Sequence, residues 1–306
     1  MYTTTQELLI KACCDLLWRV VLLGIIAAGI VCVNEAKPLI GEKYPRTAWN
    51  IKNIFKLLIL FLIIEYSVPF VTGLVHGDSV SFVSKSSIWY GGLTGLISYV
   101  LVLAIVYYNV VYRYGKPVAI LGFQRDRIRS GLLWGFCVLL FLEVVFVTIK
   151  HLRIAYSPKG DVDRDLLWYL MLIVVGPITE EILFRGYIYP AFRRKTGIAW
   201  AMIFSSACFI IFHKSETLWF NAFVIGIMLC FIYEKSGSLV AAIMAHSFSN
   251  AFICVRRYYY GKLVYITPWP IVWFAIFITI ITIYIIYRLS DARSDTKEIS
   301  NPPPAS

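Results

Sequence analysis

The chain reads as an all-α membrane protein, a polytopic transmembrane helical bundle with about eight to nine membrane segments. Three observations predict this. Hydrophobic residues make up 59% and charged residues only 15% of the 306 positions, against roughly 45–50% and 25% in an ordinary soluble domain. Mean hydropathy is +0.72. Apolar runs recur along the whole chain, many of them near the roughly 20 residues that a helix needs to cross the hydrocarbon core.

Nine apolar segments follow in order, at about 12–33, 54–75, 89–112, 131–149, 166–190, 197–213, 218–234, 238–255 and 268–288. The first is interrupted by Asp15 and Arg19, four apart and able to pair on one helical face; this suits a partly interfacial helix. The second and fourth carry single acids, Glu65 and Glu143. The third opens on Trp89 and Tyr90, and the last is flanked by Trp269 and Tyr287, aromatic anchors of the membrane interface. Residues 1–290 are therefore expected to form one integral membrane domain. The remainder, 291–306, reads DARSDTKEISNPPPAS, a polar, proline-ended tail expected to be disordered.

The net charge of +11 follows from basic residues placed between apolar runs, which speaks for lipid headgroups and topology signals. No nucleic-acid-binding pattern is present. The linker after the third segment holds Arg113, Lys116, Arg125, Arg127 and Arg129 against the single acid Asp126, so it is assigned to the cytoplasm. Arg193, Arg194 and Lys195 then fall on the same side, as do the linker 34–53 and the C-terminal tail. The N-terminus falls outside, and so do Arg256 and Arg257, against the rule. The seven cysteines form no CxxC and read as small hydrophobes. The N-terminal stretch lacks the basic region and cleavage site of a removable signal peptide. There is no HExxH and no glycine-rich phosphate loop.

Ionisable groups at membrane depth are costly and mark sites. Residues 176–186 read GPITEEILFRG. Glu181 and Arg185 are four apart and share a face, so each lowers the cost of burying the other. Glu180 is rotated by about 100° and is left to serve something else. CFIIFHKSE follows at 208–216 and ends an apolar run on His213; AAIMAHSFSNAF, at 241–252, places His246 and Asn250 four apart beside small residues. A carboxylate and an imidazole can activate water, and a second imidazole with an amide can stabilise an oxyanion. Alternatively, Glu180, His213 and His246 supply three ligands to Zn²⁺. Both arrangements suit peptide-bond hydrolysis.

The three motifs together, Glu180-Glu181-Ile182-Leu183-Phe184-Arg185, then Phe209 to His213, then His246 to Asn250, resemble the CAAX-processing and bacteriocin-processing (CPBP, or Abi) family of intramembrane proteases, which includes the CAAX prenyl endopeptidases. The motif-bearing core runs from about 165 to 255. The resemblance implies Glu180 as general base for water, His213 as its orienting partner or a metal ligand, and His246 with Asn250 at the oxyanion. Glu181 and Arg185 take the supporting positions. It also implies a polar chamber open towards the cytoplasm and a membrane-associated or lipidated peptide or protein substrate. Separately, the absence of eukaryotic targeting features in the sequence points to a prokaryotic plasma membrane. Zn²⁺ is left open. The alternative reading is a membrane transporter or a non-enzymatic scaffold on the same fold.

One geometric check is discordant. At about 1.5 Å per residue, straight helices put Glu180 and His213 about 20 Å from their cytoplasmic ends but His246 only about 12 Å from its own. Pro177, Gly186 and Pro190 mark the expected remedy: a break within 166–195, giving a membrane helix, a bend and an amphipathic stretch.

Overall fold

The computed structural model describes residues 49–75, 88–123, 166–213 and 219–260, together with 17, 19–24, 26 and 133. The expected segments 131–149 and 268–288, most of 12–33, the tail, and Glu143 lie outside the described residues. Six helices carry the described fold: α1 (Ile51–Val75), α2 (Ile88–Tyr107), α3 (Leu166–Thr196), α4 (Ile198–Ile211), α5 (Trp219–Ser236) and α6 (Leu239–Tyr260). A π-helical turn, Tyr108–Arg113, extends α2, and a 3₁₀ turn covers Val118–Leu121. Among the described residues there is no strand.

Two helical stretches, Gly92–Arg113 and Leu166–Thr196, are long and apolar enough to cross a membrane. Only 22% and 33% of their most apolar windows are buried inside the protein, whereas the core helix of a soluble protein would be mostly enclosed. Val100, Leu101, Tyr107 and Tyr108 stand exposed along α2, a face that suits lipid. The segment expected at 197–213 is shorter than predicted: α4 has 14 residues, about 21 Å of helix, less than the roughly 30 Å hydrocarbon core.

The break expected within 166–195 does not occur. α3 runs unbroken through Pro177, Gly186 and Pro190, and it absorbs both prolines with π turns at Met171–Val175 and Ile182–Ile188. Each proline falls in the first two residues of the α-helical stretch that follows a π turn, where the hydrogen-bond ladder changes register and a missing N–H costs least. The Gly176 N–H reaches back to the Met171 carbonyl, five residues earlier.

Close packing of α4, α5 and α6 on α3 sets the core. At Gly226 of α5, a Cβ would sit 2.9 Å from the Ser206 side chain of α4, so only glycine admits this approach. Gly122 adopts φ +94°, a left-handed conformation that favours glycine. Its carbonyl accepts the Leu239 N–H at 2.8 Å, tying the loop after α2 to the start of α6. Trp49 stacks on Tyr187 at 4.4 Å and donates to the Tyr187 carbonyl at 2.7 Å. Glu234 of α5 accepts from Tyr189 at 2.7 Å and pairs with Arg193 at 3.2 Å. These contacts lock the end of α3 that the basic cluster occupies.

Candidate active site

Glu181 and Arg185 are fully buried in α3 and form the ion pair that their spacing predicts, at 2.8 Å. Arg185 also donates to the Gly226 carbonyl at 3.0 Å and lies over the Phe209 ring at 4.9 Å. The glycine that lets α5 approach thus presents its backbone to the guanidinium. Glu181 Oε1 has a second partner, His246 Nδ1 on α6, at 2.8 Å. A carboxylate only accepts, so His246 donates from Nδ1. That bond fixes the ring and turns Nε2 towards Glu180.

Glu180 is the less enclosed of the two acids, with 21% of its side chain exposed against none for Glu181. Its Oε2 lies 3.8 Å from His246 Nε2, too long for a hydrogen bond. Its Oε1 accepts from the Tyr99 hydroxyl of α2 at 3.0 Å. A single water at about 2.8 Å from each atom would bridge Glu180 Oε2 and His246 Nε2.

His213 follows the last turn of α4. Its Nδ1 lies 3.1 Å from the Phe209 carbonyl; since a carbonyl only accepts, Nδ1 carries the proton and Nε2 keeps its lone pair. Trp219 donates to the His213 carbonyl at 3.0 Å, and Arg19 donates to the carbonyls of Ile211 and His213. A guanidinium there satisfies orphan carbonyls and complements the negative end of α4. Arg19, read from sequence as able to pair with Asp15, thus also acts on α4; Asp15 lies outside the described residues. The Phe209 ring sits against both imidazoles, at 4.7 Å from His213 and 5.9 Å from His246.

Asn250 Nδ2 donates to the Leu172 carbonyl at 2.8 Å. That carbonyl is orphaned by the local sequence: the Gly176 N–H goes to Met171, and Pro177 has none to give. Asn250 thus ties α6 to the π turn before the glutamates and keeps one amide N–H for other use.

The structure brings Glu180, Glu181, Arg185 and His246 together directly, joins Asn250 to the same helix, and sets His213 across Phe209. Among the described residues, no group of three or more His, Cys, Asp or Glu side chains converges to hold a metal ion. The donor chemistry nevertheless suits Zn²⁺: both imidazoles have Nδ1 committed to an oxygen acceptor, the outer-shell pattern of ligating histidines, and Glu180 adds a carboxylate. Sequence reasoning missed Tyr99, Arg19 and Trp219. For Tyr99 a signal existed, since it stands mid-way along an apolar span and not at the interface where tyrosines collect.

Residues 163–252 match the family model described as "Type II CAAX prenyl endopeptidase Rce1-like". The chain is 28% identical over 177 residues to the Bacillus subtilis (strain 168) protein described as "Putative membrane peptidase YdiL", covering 54% of this chain and 72% of that protein. No solved structure matches.

Proposed function

We propose, from the match of residues 163–252 to the CAAX/Rce1-like family model, that this chain is an intramembrane endopeptidase that hydrolyses a peptide bond near the terminus of a membrane-associated or lipidated substrate. The observation that carries this reading is the 3.8 Å gap between Glu180 Oε2 and His246 Nε2. It holds two polar atoms close enough to share one water and too far apart to satisfy each other.

Glu180 takes a proton from that water, and the hydroxide adds to the scissile carbonyl carbon. The carbonyl oxygen becomes an oxyanion, stabilised by the remaining Asn250 N–H and by His246 Nε2. His246 donates from Nδ1 to Glu181, so donation from Nε2 as well makes the ring an imidazolium, with Glu181 as its counter-charge. His213, with its Nε2 lone pair, orients the attacking water. The tetrahedral intermediate then collapses, the C–N bond breaks, and the proton held on Glu180 passes to the leaving amine. Glu181 and Arg185 fix His246 and touch no substrate. Zn²⁺, if bound, would be held by Glu180, His213 and the neutral form of His246, and would polarise the attacking water. The enzyme works in a prokaryotic plasma membrane as a bundle of eight to nine spans, with its chamber open to the cytoplasm.

The test uses purified full-length protein in lipid vesicles with a farnesylated peptide ending in a CAAX sequence and a set of unprenylated peptides, products being identified by mass spectrometry. Wild-type protein is expected to cleave. E180Q and H246A should lose at least about 100-fold in rate while still inserting and folding. Assays with and without a chelator report on Zn²⁺. Full activity in E180Q sinks the mechanism, and coupled solute uptake without cleavage favours a transporter.

A further inference from the structure

We infer that Tyr99 is a positioning residue for Glu180, supplied by the half of the chain that carries no motif. This inference rests on the reading of Glu180 as the general base. The Tyr99 hydroxyl donates to Glu180 Oε1 at 3.0 Å, while Oε2 is the oxygen that faces His246. A carboxylate on a flexible side chain has two equivalent oxygens and a rotatable terminal torsion. Occupying one oxygen with a fixed donor selects which oxygen points at the water and at what angle.

The approach is built from the sequence of α3. Gly176 lies one turn before Glu180, on the same face. A Cβ at Gly176 would stand 3.3 Å from the Tyr99 hydroxyl oxygen and 3.6 Å from the ring's Cε2. The phenol thus lies across a bare glycine to reach the glutamate. The same Cβ would come within 2.8 Å of the Met171 carbonyl, so the residue that permits the π turn also opens the path for Tyr99. Glu65 of α1 also acts electrostatically on Tyr99.

In a soluble active site, solvent would compete for Oε1. Glu180 is only 21% exposed, and a donor fixed by helix packing needs no reorganisation during turnover. Loss of a hydrogen bond to a charged group in such a setting is expected to lower kcat about 10- to 100-fold. A residue that acts only through Glu180 should leave KM within about twofold.

The experiment compares wild type, Y99F and the control Y108F, whose side chain is exposed, in lipid vesicles with the farnesylated CAAX peptide. Y99F keeps the ring and removes only the donor. The expected result is a fall in kcat per folded molecule with KM unchanged, and wild-type behaviour in Y108F. In parallel, infrared difference spectra against E180Q isolate the Glu180 carboxylate stretch, which should shift in Y99F. This second measurement needs no substrate. If wild type cleaves nothing but the carboxylate band moves in Y99F, the proposed function fails while the Tyr99–Glu180 link stands. Wild-type kcat in Y99F, a loss that merely follows the folded fraction, or an unmoved band overturns the inference.

Discussion

Removing Arg185 should cripple the fold, and removing its partner along with it should largely restore the fold without restoring the enzyme. The guanidinium is fully buried, paired with Glu181 at 2.8 Å, bonded to the Gly226 carbonyl at 3.0 Å and seated over Phe209. In R185M the Glu181 carboxylate keeps only His246, and Gly226 loses its donor. Breaking a buried pair from one side costs about 3–5 kcal/mol, a factor of about 150 to 5,000 in the folded-to-unfolded ratio, against a total stability of about 5–15 kcal/mol. In E181L/R185M neither member of the pair is left without the other, His246 can rest as the neutral ring, and well-packed apolar replacements of a buried pair are often neutral. The double variant should therefore recover to within about 1–2 kcal/mol of wild type. Its His246 has lost the acceptor that fixes Nδ1, so cleavage should stay at least about tenfold down. Denaturant titration in mixed micelles measures the first quantity and peptide cleavage the second. The reasoning is refuted if the double variant is no more stable than R185M, or if it cleaves at the wild-type rate.

Two further outcomes follow from contacts made by backbone groups. N250A strips the Leu172 carbonyl of its donor, at about 1 kcal/mol for a part-buried hydrogen bond; hydrogen exchange of the amides at 171–176 should accelerate, and unchanged exchange would contradict the role given to Asn250. G226A places a methyl 2.9 Å from Ser206 and should lower stability by about 1–3 kcal/mol, read as a lower melting temperature in lipid vesicles.

The motif residues were legible because their physics is local. The four-residue spacing of Glu181 and Arg185 predicts a shared face, and the pair forms. The same reasoning separated Glu180 from its neighbour, and the two carboxylates do have different partners. Prolines were read less well. Pro177 and Pro190 signal a break in any straight-helix account, yet α3 passes both by widening its turns beforehand. The choice between a break and a π turn depends on what packs outside the helix, here Asn250 against the Leu172 carbonyl and Tyr99 against Gly176.

The sequence by itself determined the helical class, the apolar stretches and the residue types of the site, because burying charge in an apolar chain is costly enough to leave a readable mark. Tertiary structure alone decided which oxygen of which glutamate faces His246, that Arg19 and Trp219 hold the end of α4, and that Tyr99 reaches Glu180. Apart from Trp219, six positions from His213, those contacts join residues 65 to 194 positions apart across different helices. No local spacing encodes them; they follow from how closely the helices approach, which is set where Gly176, Gly226 and the π turns leave room.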